Sequence, residues 1–181
     1  MRRTSRDQKK RALAAFGATI ALLVFASTAA AANPQFKRGG APTLTDNGST
    51  LTLSAAMTGL GNGNLEVDID WTGTTINNTC TSPGGNNAPG QNPATPVSGS
   101  STANITPEKN GNVKIALTTT APTITPQQAG CPNQNWSASY TDVVFFAATV
   151  SIAQPTTSFS FSCTANFPAG GTTNGTTYTC S

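Results

Sequence analysis

Apolar side chains recur at every second position in two neighbouring stretches, residues 51–57 and 65–71. A period of two is typical of a β-strand that buries one face and exposes the other. The stretch between them, GLGNGN at 59–64, is rich in Gly and Asn and predicts a turn. The two stretches are therefore predicted to form a β-hairpin.

Further strands are predicted towards the carboxyl terminus. STANIT at 101–106 and NVKIALTTT at 112–120 flank a segment that contains Asn110 and Gly111, a pair typical of a tight hairpin turn. NWSASYTDVVFFAATVSI at 135–152 is strongly hydrophobic. Its β-branched and aromatic composition predicts a central strand pair or one long bent strand.

Together these signals predict an all-β fold. Short strands that alternate with turn residues, without helical periodicity, are typical of an antiparallel sandwich or barrel. We predict an immunoglobulin-like β-sandwich that forms one domain over residues 49–181. NPQFKRGGAPTLTDNG at 33–48 has no periodicity and is predicted to be a flexible leader, and SPGGNNAPGQNP at 82–93 is predicted to be a long loop.

The amino terminus has the organisation of an export signal. Residues 1–11 carry six basic side chains, and residues 12–32 carry no charge and end with Ala30 and Ala32 at the positions that a signal peptidase prefers. Residues 1–32 are therefore predicted to be a cleaved signal peptide. The protein is then expected to contact the membrane only during export, through this segment. The alternative is an uncleaved amino-terminal anchor, because an uncharged stretch of this length also suffices to span a bilayer.

Removal of the signal peptide changes the charge of the chain. Residues 33–181 contain four basic and six acidic side chains, a net charge of −2. Phosphate binding needs clustered Lys and Arg, so a nucleic-acid partner is not expected. No sequence motif indicates a cofactor.

All four cysteines follow the predicted signal peptide, and an even number in an oxidising compartment predicts two disulfides. Four cysteines allow three pairings, and the sequence alone does not select one. Local spacing favours Cys163 with Cys180, because each ends a short strand beside a Gly-rich loop. Cys80 with Cys131 then follows by elimination. Without histidine or a C-x-x-C spacing, a metal site at the cysteines is disfavoured.

Three segments resemble a set of small secreted bacterial proteins: GLGNGN at 59–64, TCTSPGGNNAPGQNP at 79–93 and GCPNQNW at 130–136. The resemblance lies in a Cys, a GGN turn, a Pro/Asn-rich loop and a later Cys-Pro. It implies export and a link between Cys80 and Cys131. It implies no activity.

The sequence offers little for catalysis. Histidine, the commonest general base, is missing from the chain, which excludes the usual catalytic triads. Glu66, Asp68 and Asp70 fall on one face of a predicted strand, because side chains alternate. Solubility is the simplest role for them, a calcium site is the second, and a carboxylate pair in a secreted hydrolase is the third. We expect that the protein is not an enzyme.

A carbohydrate-binding surface is the alternative function. Trp136 and Tyr140 share a strand face, so they could form an aromatic platform for sugar rings, although aromatic side chains in such strands usually belong to the core. The polar residues of the neighbouring loop would complete the site, namely Asn86, Asn87, Gln91 and Asn92.

The export signal and the missing catalytic set favour one leading hypothesis. We expect a non-catalytic, secreted extracellular or cell-envelope β-domain with a structural or adhesive role. Its expected partners are a polysaccharide or another cell-wall component, or a second copy of itself through exposed strand edges. The sequence leaves open whether the protein is free or associated with the cell wall.

Overall fold

The computed structural model describes residues 33–181, and the predicted signal peptide lies outside the described residues. This part of the chain is all-β, with antiparallel sheets and one 3₁₀ turn at Pro155–Thr157. It contains no helix that is long and apolar enough to cross a membrane. Its strands are β1 (Gln35–Phe36), β2 (Thr43–Asp46), β3 (Leu51–Thr58), β4 (Leu65–Ile76), β5 (Thr79–Thr81), β6 (Asn87–Pro89), β7 (Ala94–Ile105), β8 (Val113–Thr118), β9 (Ser137–Ser139), β10 (Asp142–Gln154), β11 (Phe159–Thr164) and β12 (Thr177–Thr179).

The first sheet is built around β3. Strand β8 pairs with β3 along one side, while β2 and the short β1 pair with it on the other, and β12 extends the sheet beyond β2. Every pairing is antiparallel. Because the inward side chains of β3 are the alternating apolar residues of 51–57, the predicted strand and its buried face are confirmed.

The second sheet has the order β11-β10-β4-β7 and consists mainly of long strands. Strand β10 is central and pairs with both β11 and β4, so the long strand predicted within 135–152 is confirmed from Asp142 onwards. The register between β10 and β4 shifts between Phe145 and Ala147, which marks a β-bulge. A bulge bends the strand and changes the direction of the next side chain.

One hydrophobic core joins the two sheets. It forms because each strand directs alternate side chains inward, so both sheets bury their apolar faces against each other. The fully buried side chains of this core include Leu44, Leu51, Leu53 and Met57 from the first sheet and Leu65, Val67, Ile69, Val143, Phe145, Val150 and Ile152 from the second.

A third, small sheet has the order β6-β5-β9 and covers a second cluster of buried residues: Cys80, Ile124 and Ala129. The disulfide between Cys80 and Cys131 lies in this cluster. The stretch 82–93, predicted to be a loop, contains β6, which pairs with β5. Its first part is a tight turn in which the Ser82 amide donates to the Asn86 carbonyl at 2.9 Å.

The other disulfide joins the edges of the two large sheets. It links Cys163 on β11 of the second sheet to Cys180, which directly follows β12 of the first. The pairing is the one that the sequence favoured. The two short strands that end in these cysteines are β11 and β12, which belong to different sheets. Within residues 33–181 they meet only at their ends, where Ala165 and Cys180 form a bridge and Thr164 and Ser181 exchange two backbone hydrogen bonds.

Two predicted hairpins are corrected. Strand β3 lies in the first sheet and β4 in the second, so GLGNGN carries the chain from one sheet to the other. Likewise, β7 pairs with β4 whereas β8 pairs with β3. Asn110 and Gly111 do form a tight turn, in which the Gly111 amide donates to the Glu108 carbonyl at 2.8 Å, but this turn also connects the two sheets.

The predicted flexible leader at 33–48 is part of the folded domain. It contains β1 and β2, and Leu44 of β2 is fully buried in the main core. Alternation is present in TLTD, but four residues are too short for the pattern to stand out in a segment rich in Pro and Gly. The folded domain therefore begins before residue 49.

Candidate functional site

An open groove runs along β4 and the edge strand β7 of the second sheet, and we call it the sheet-face groove. Its larger cavity, about 890 Å³, is lined by strands β4 and β7, by Phe146 of β10 and by the segment that leads from β8 to β9. A volume of this size is typical of ligand sites, which range over about 300–1,000 Å³. The complete lining is Trp71, Thr72, Gly73, Thr74, Pro96, Val97, Ser98, Gly99, Ser100, Thr120, Ala121, Pro122, Thr123, Gln128 and Phe146.

Phe146 is the aromatic side chain that the groove presents to solvent. It is 49% exposed and is the one exposed large hydrophobic residue among residues 33–181. Phe146 faces outward by ordinary alternation, because it follows the fully buried Phe145 on the strand. The bulge adds one more outward residue, Ala147, before the inward positions resume at Ala148. Gly73 is opposite Phe145 in the register, and a Cβ there would lie 2.7 Å from the Val144 carbonyl oxygen. Glycine thus allows the bulged strand to approach β4 closely.

Trp71 lies beneath the groove. Its side chain is 4% exposed and packs edge-to-face on Phe145, with ring centroids 5.1 Å apart. A Cβ on the neighbouring Gly99 would lie 2.7 Å from Cζ2 of the Trp71 ring, so the indole fills the space that a side chain on β7 would use. Within residues 33–181, the indole Nε1 is the one buried side-chain N or O atom without a hydrogen-bond partner. Such groups are rare in folded proteins.

The chemistry of the groove is uncharged and rich in hydroxyl groups. No ionisable side chain lines the larger cavity, whereas Thr72, Thr74, Ser98 and Ser100 lie along the two strands that form its floor. Each hydroxyl is one donor and an acceptor with two lone pairs. The site therefore suits a neutral ligand that itself offers many donors and acceptors.

The wall formed by 120–128 is fixed by hydrogen bonds. The Tyr140 hydroxyl donates to the Pro122 carbonyl at 2.6 Å. The Gln128 side-chain Oε1 accepts from the Thr125 amide at 2.8 Å, and the Gln128 carbonyl accepts from Asn92 and from Thr95. A groove whose wall is held in this way is preorganised, which reduces the entropy lost when a ligand binds.

A smaller cavity of about 460 Å³ continues the groove along the sheet. The two cavities share five lining residues, and the smaller one adds Asp70, Ala147, Ala148 and Thr149. The groove is thus extended rather than a single round pocket. Asp70 places one carboxylate at its far end.

The acidic residues Glu66, Asp68 and Asp70 share the outward face of β4, as the alternation predicts. Asp68 accepts a hydrogen bond from the Thr102 hydroxyl at 2.6 Å. Among residues 33–181 there is no group of three or more His, Cys, Asp or Glu side chains that could hold a metal ion. The calcium site stays a prediction.

Trp136 and Tyr140 do share one strand face, but that face is turned towards the protein. Both side chains are partly buried and pack against the second cluster with Cys80 and Ala129. The Tyr140 hydroxyl is used by the Pro122 carbonyl, and burial raises its pKa. Tyr140 therefore supports the wall of the sheet-face groove from behind.

The four polar residues predicted near the aromatic platform do not line the sheet-face groove. Asn86 and Gln91 are exposed. The Asn87 side chain accepts from the Thr81 hydroxyl at 2.7 Å, and the Asn92 side chain donates to the Gln128 carbonyl at 3.0 Å. Asn87 thus stabilises its own loop, whereas Asn92 fixes the wall of the groove at Gln128.

One further carboxylate, that of Asp46, is buried outside the groove. Asp46 is 1% exposed and accepts from the Gly48 amide at 2.8 Å. Burial raises the pKa of Asp46, and the nearby Asp142 carboxylate raises it further, while donation from Thr172 and Gly48 lowers it. The net shift is upward, so ionised Asp46 is less favourable in the folded state than in the unfolded chain.

No family model, no curated protein and no solved structure matches this chain. The role of the groove is therefore inferred from its geometry and its lining residues. Sequence reasoning missed the groove because it considered residues 135–152 only as a hydrophobic strand region, and because Trp71 meets Gly99 through strand register. The adjacent pair Phe145 and Phe146 was the one available signal, since an alternating strand directs two consecutive side chains to opposite faces.

Proposed function

We propose that residues 33–181 form an exported, non-catalytic β-domain with an adhesive role outside the cell. The observation that carries the proposal is the sheet-face groove, whose larger cavity is uncharged and preorganised and carries one exposed aromatic ring. Such a cavity suits binding. General acid or base catalysis on a bound ligand would need an ionisable side chain, and the lining of the larger cavity has none.

Two features support export. The two disulfides are consistent with an oxidising environment, where such bonds form and persist. The basic and apolar organisation of residues 1–32 is that of a signal peptide. On this proposal the mature protein is extracellular and begins close to residue 33.

The strand order supports an immunoglobulin-like arrangement. The first sheet contains β2, β3 and β8, and the second contains β11, β10, β4 and β7 in that order. The chain forms hairpins from β2 to β3 and from β10 to β11, and it crosses between the sheets after β3, β7 and β8. A buried Trp on strand C is another feature of immunoglobulin domains, and the buried Trp71 lies on β4, which has the corresponding place in the strand order.

The adhesive role is tested with the oxidised 33–181 protein and insoluble cell-wall material from the organism that produces it. We expect a saturable bound fraction that the reduced and unfolded protein does not show. If the folded protein remains in the supernatant at every concentration, the adhesive proposal fails. Sedimentation in the same buffer separates binding from self-association through strand edges.

A glycan-binding platform formed by Trp136 and Tyr140 is the second candidate function, and one observation supports it. The two side chains are partly rather than fully buried. Replacement of Trp136 by Ala separates this surface from the sheet-face groove, because Trp136 does not line the groove.

A further inference from the structure

We infer that the sheet-face groove is a binding site for a neutral polysaccharide chain, with Phe146 as the stacking residue. The inference rests on the proposed adhesive function and adds the site and the class of ligand. The larger cavity is lined by uncharged residues, so a polyanion would meet no cation there to compensate the loss of its hydration.

The position of the groove on a sheet face argues for a sugar rather than a peptide. Backbone groups in β4 are already paired with β7 and β10, so β4 can bind a ligand only through its side chains. Strand β7 is the edge of this sheet, and peptides that bind to sheets usually pair with an edge strand through their backbone. A ligand that lies across β4 must instead meet the hydroxyl groups of Thr72 and Ser98 and one aromatic ring.

A neutral sugar ring has both complementary features. Its hydroxyl groups pair with Ser and Thr side chains, and its C–H face packs on an aromatic ring. Phe146 is exposed enough to offer such a face. Gly171 lies beside the ring, since a Cβ there would be 2.9 Å from Phe146 Cε1.

The shape of the groove favours a chain over a single sugar. The larger cavity continues directly into the smaller one along the strands, from Phe146 towards Thr149. The carboxylate of Asp70 lies only at the far end, where it would repel an acidic polymer. Successive neutral sugar units can therefore occupy the groove.

The experiment compares the oxidised wild-type protein with Phe146→Ala, Phe146→Trp and Trp136→Ala. The probes are soluble neutral β-glucan and galactomannan, with polygalacturonate as the acidic comparison and protease-treated cell wall as the natural material. Thermal unfolding of each variant checks that it is folded. Loss of one stacking contact is expected to weaken binding roughly tenfold or more, the equivalent of about 1.4 kcal/mol.

We expect binding to at least one neutral probe that Phe146→Ala weakens, that Phe146→Trp preserves and that Trp136→Ala leaves unchanged. Thr72→Val should weaken binding as well, whereas Thr118→Val on the outer face of the first sheet is the matched control and should not.

Loss of binding in Trp136→Ala alone would overturn the location. Binding only to polygalacturonate, or wall binding that protease abolishes, would overturn the ligand class while the adhesive function stands. If neither wall nor glycan is bound, both proposals fail.

Discussion

Replacement of Gly99 by Ala tests how closely Trp71 packs beneath the groove. The new Cβ would lie 2.7 Å from Cζ2 and 3.2 Å from Nε1 of the Trp71 ring, so the indole must move. Overpacking of a core costs about 1–3 kcal/mol. Gly99 does not have a left-handed backbone conformation, so Ala fits the backbone there. Ala also stabilises the folded state by about 0.4–1 kcal/mol, because it reduces the conformational entropy of the unfolded chain.

The expected net loss of unfolding free energy is therefore about 0–2.6 kcal/mol, with a middle value of about 1.3 kcal/mol, which lowers Tm by up to roughly 10 °C for a domain of this size. Urea and thermal unfolding measure it. Gly170→Ala is the matched control, because a Cβ there meets nothing within 4 Å, and it should be neutral or slightly stabilising. In a Trp71→Phe background, Gly99→Ala should cost less, because the part of the indole that it strikes is gone.

A stabilising effect of Gly99→Ala, or an equal cost in the wild-type and Trp71→Phe backgrounds, would refute this reasoning. Either result would mean that the indole does not occupy the space beside Gly99. The floor of the groove would then differ from the one described above.

Two other changes give defined outcomes. The Cys163→Ser, Cys180→Ser double variant opens a link with a sequence separation of 17 residues, so loop entropy predicts a loss of about 3 kcal/mol and a Tm roughly 6–12 °C lower. An unchanged Tm would contradict the prediction that this disulfide stabilises the folded state. The pKa of Asp46 in the folded state is raised above 3.8, so protonation of Asp46 stabilises the folded state. This stabilisation is complete below pH 3.8 and is lost as the pH rises through the folded-state pKa. Wild type should therefore lose stability relative to Asp46→Asn between pH 4 and pH 7 in urea unfolding, and the opposite trend would contradict the shift.

The alternation in the sequence predicted strands and buried faces better than it predicted strand partners. Leu53 and Ile69 face the core as expected. Their strands do not pair, because a period of two identifies the side that is buried and not the neighbour across the ladder. Both faces turn towards the same core from opposite sheets, and this long-range choice depends on the whole set of strands.

The candidate site was the least predictable part. Trp136 and Tyr140 carried the aromatic signal, yet they pack against the second cluster. Phe146 is exposed beside the buried Phe145, and the space for Trp71 depends on the absence of a side chain at Gly99 on β7, the third strand after β4 along the chain. Such contacts arise from register between distant segments, which local patterns do not encode.

The two tryptophans provide the most direct test of the binding site, because Trp71 lies beneath the groove and Trp136 lies outside it. The measurement is a ¹H–¹⁵N correlation spectrum of oxidised 33–181 during titration with a neutral β-glucan or galactomannan oligosaccharide. We expect the Trp71 indole N–H and the amides of 98–100 to shift with saturation, while the Trp136 indole stays in place. Shifts at Trp136 with an unchanged Trp71, or no shift at either indole, would contradict a glycan site in the sheet-face groove.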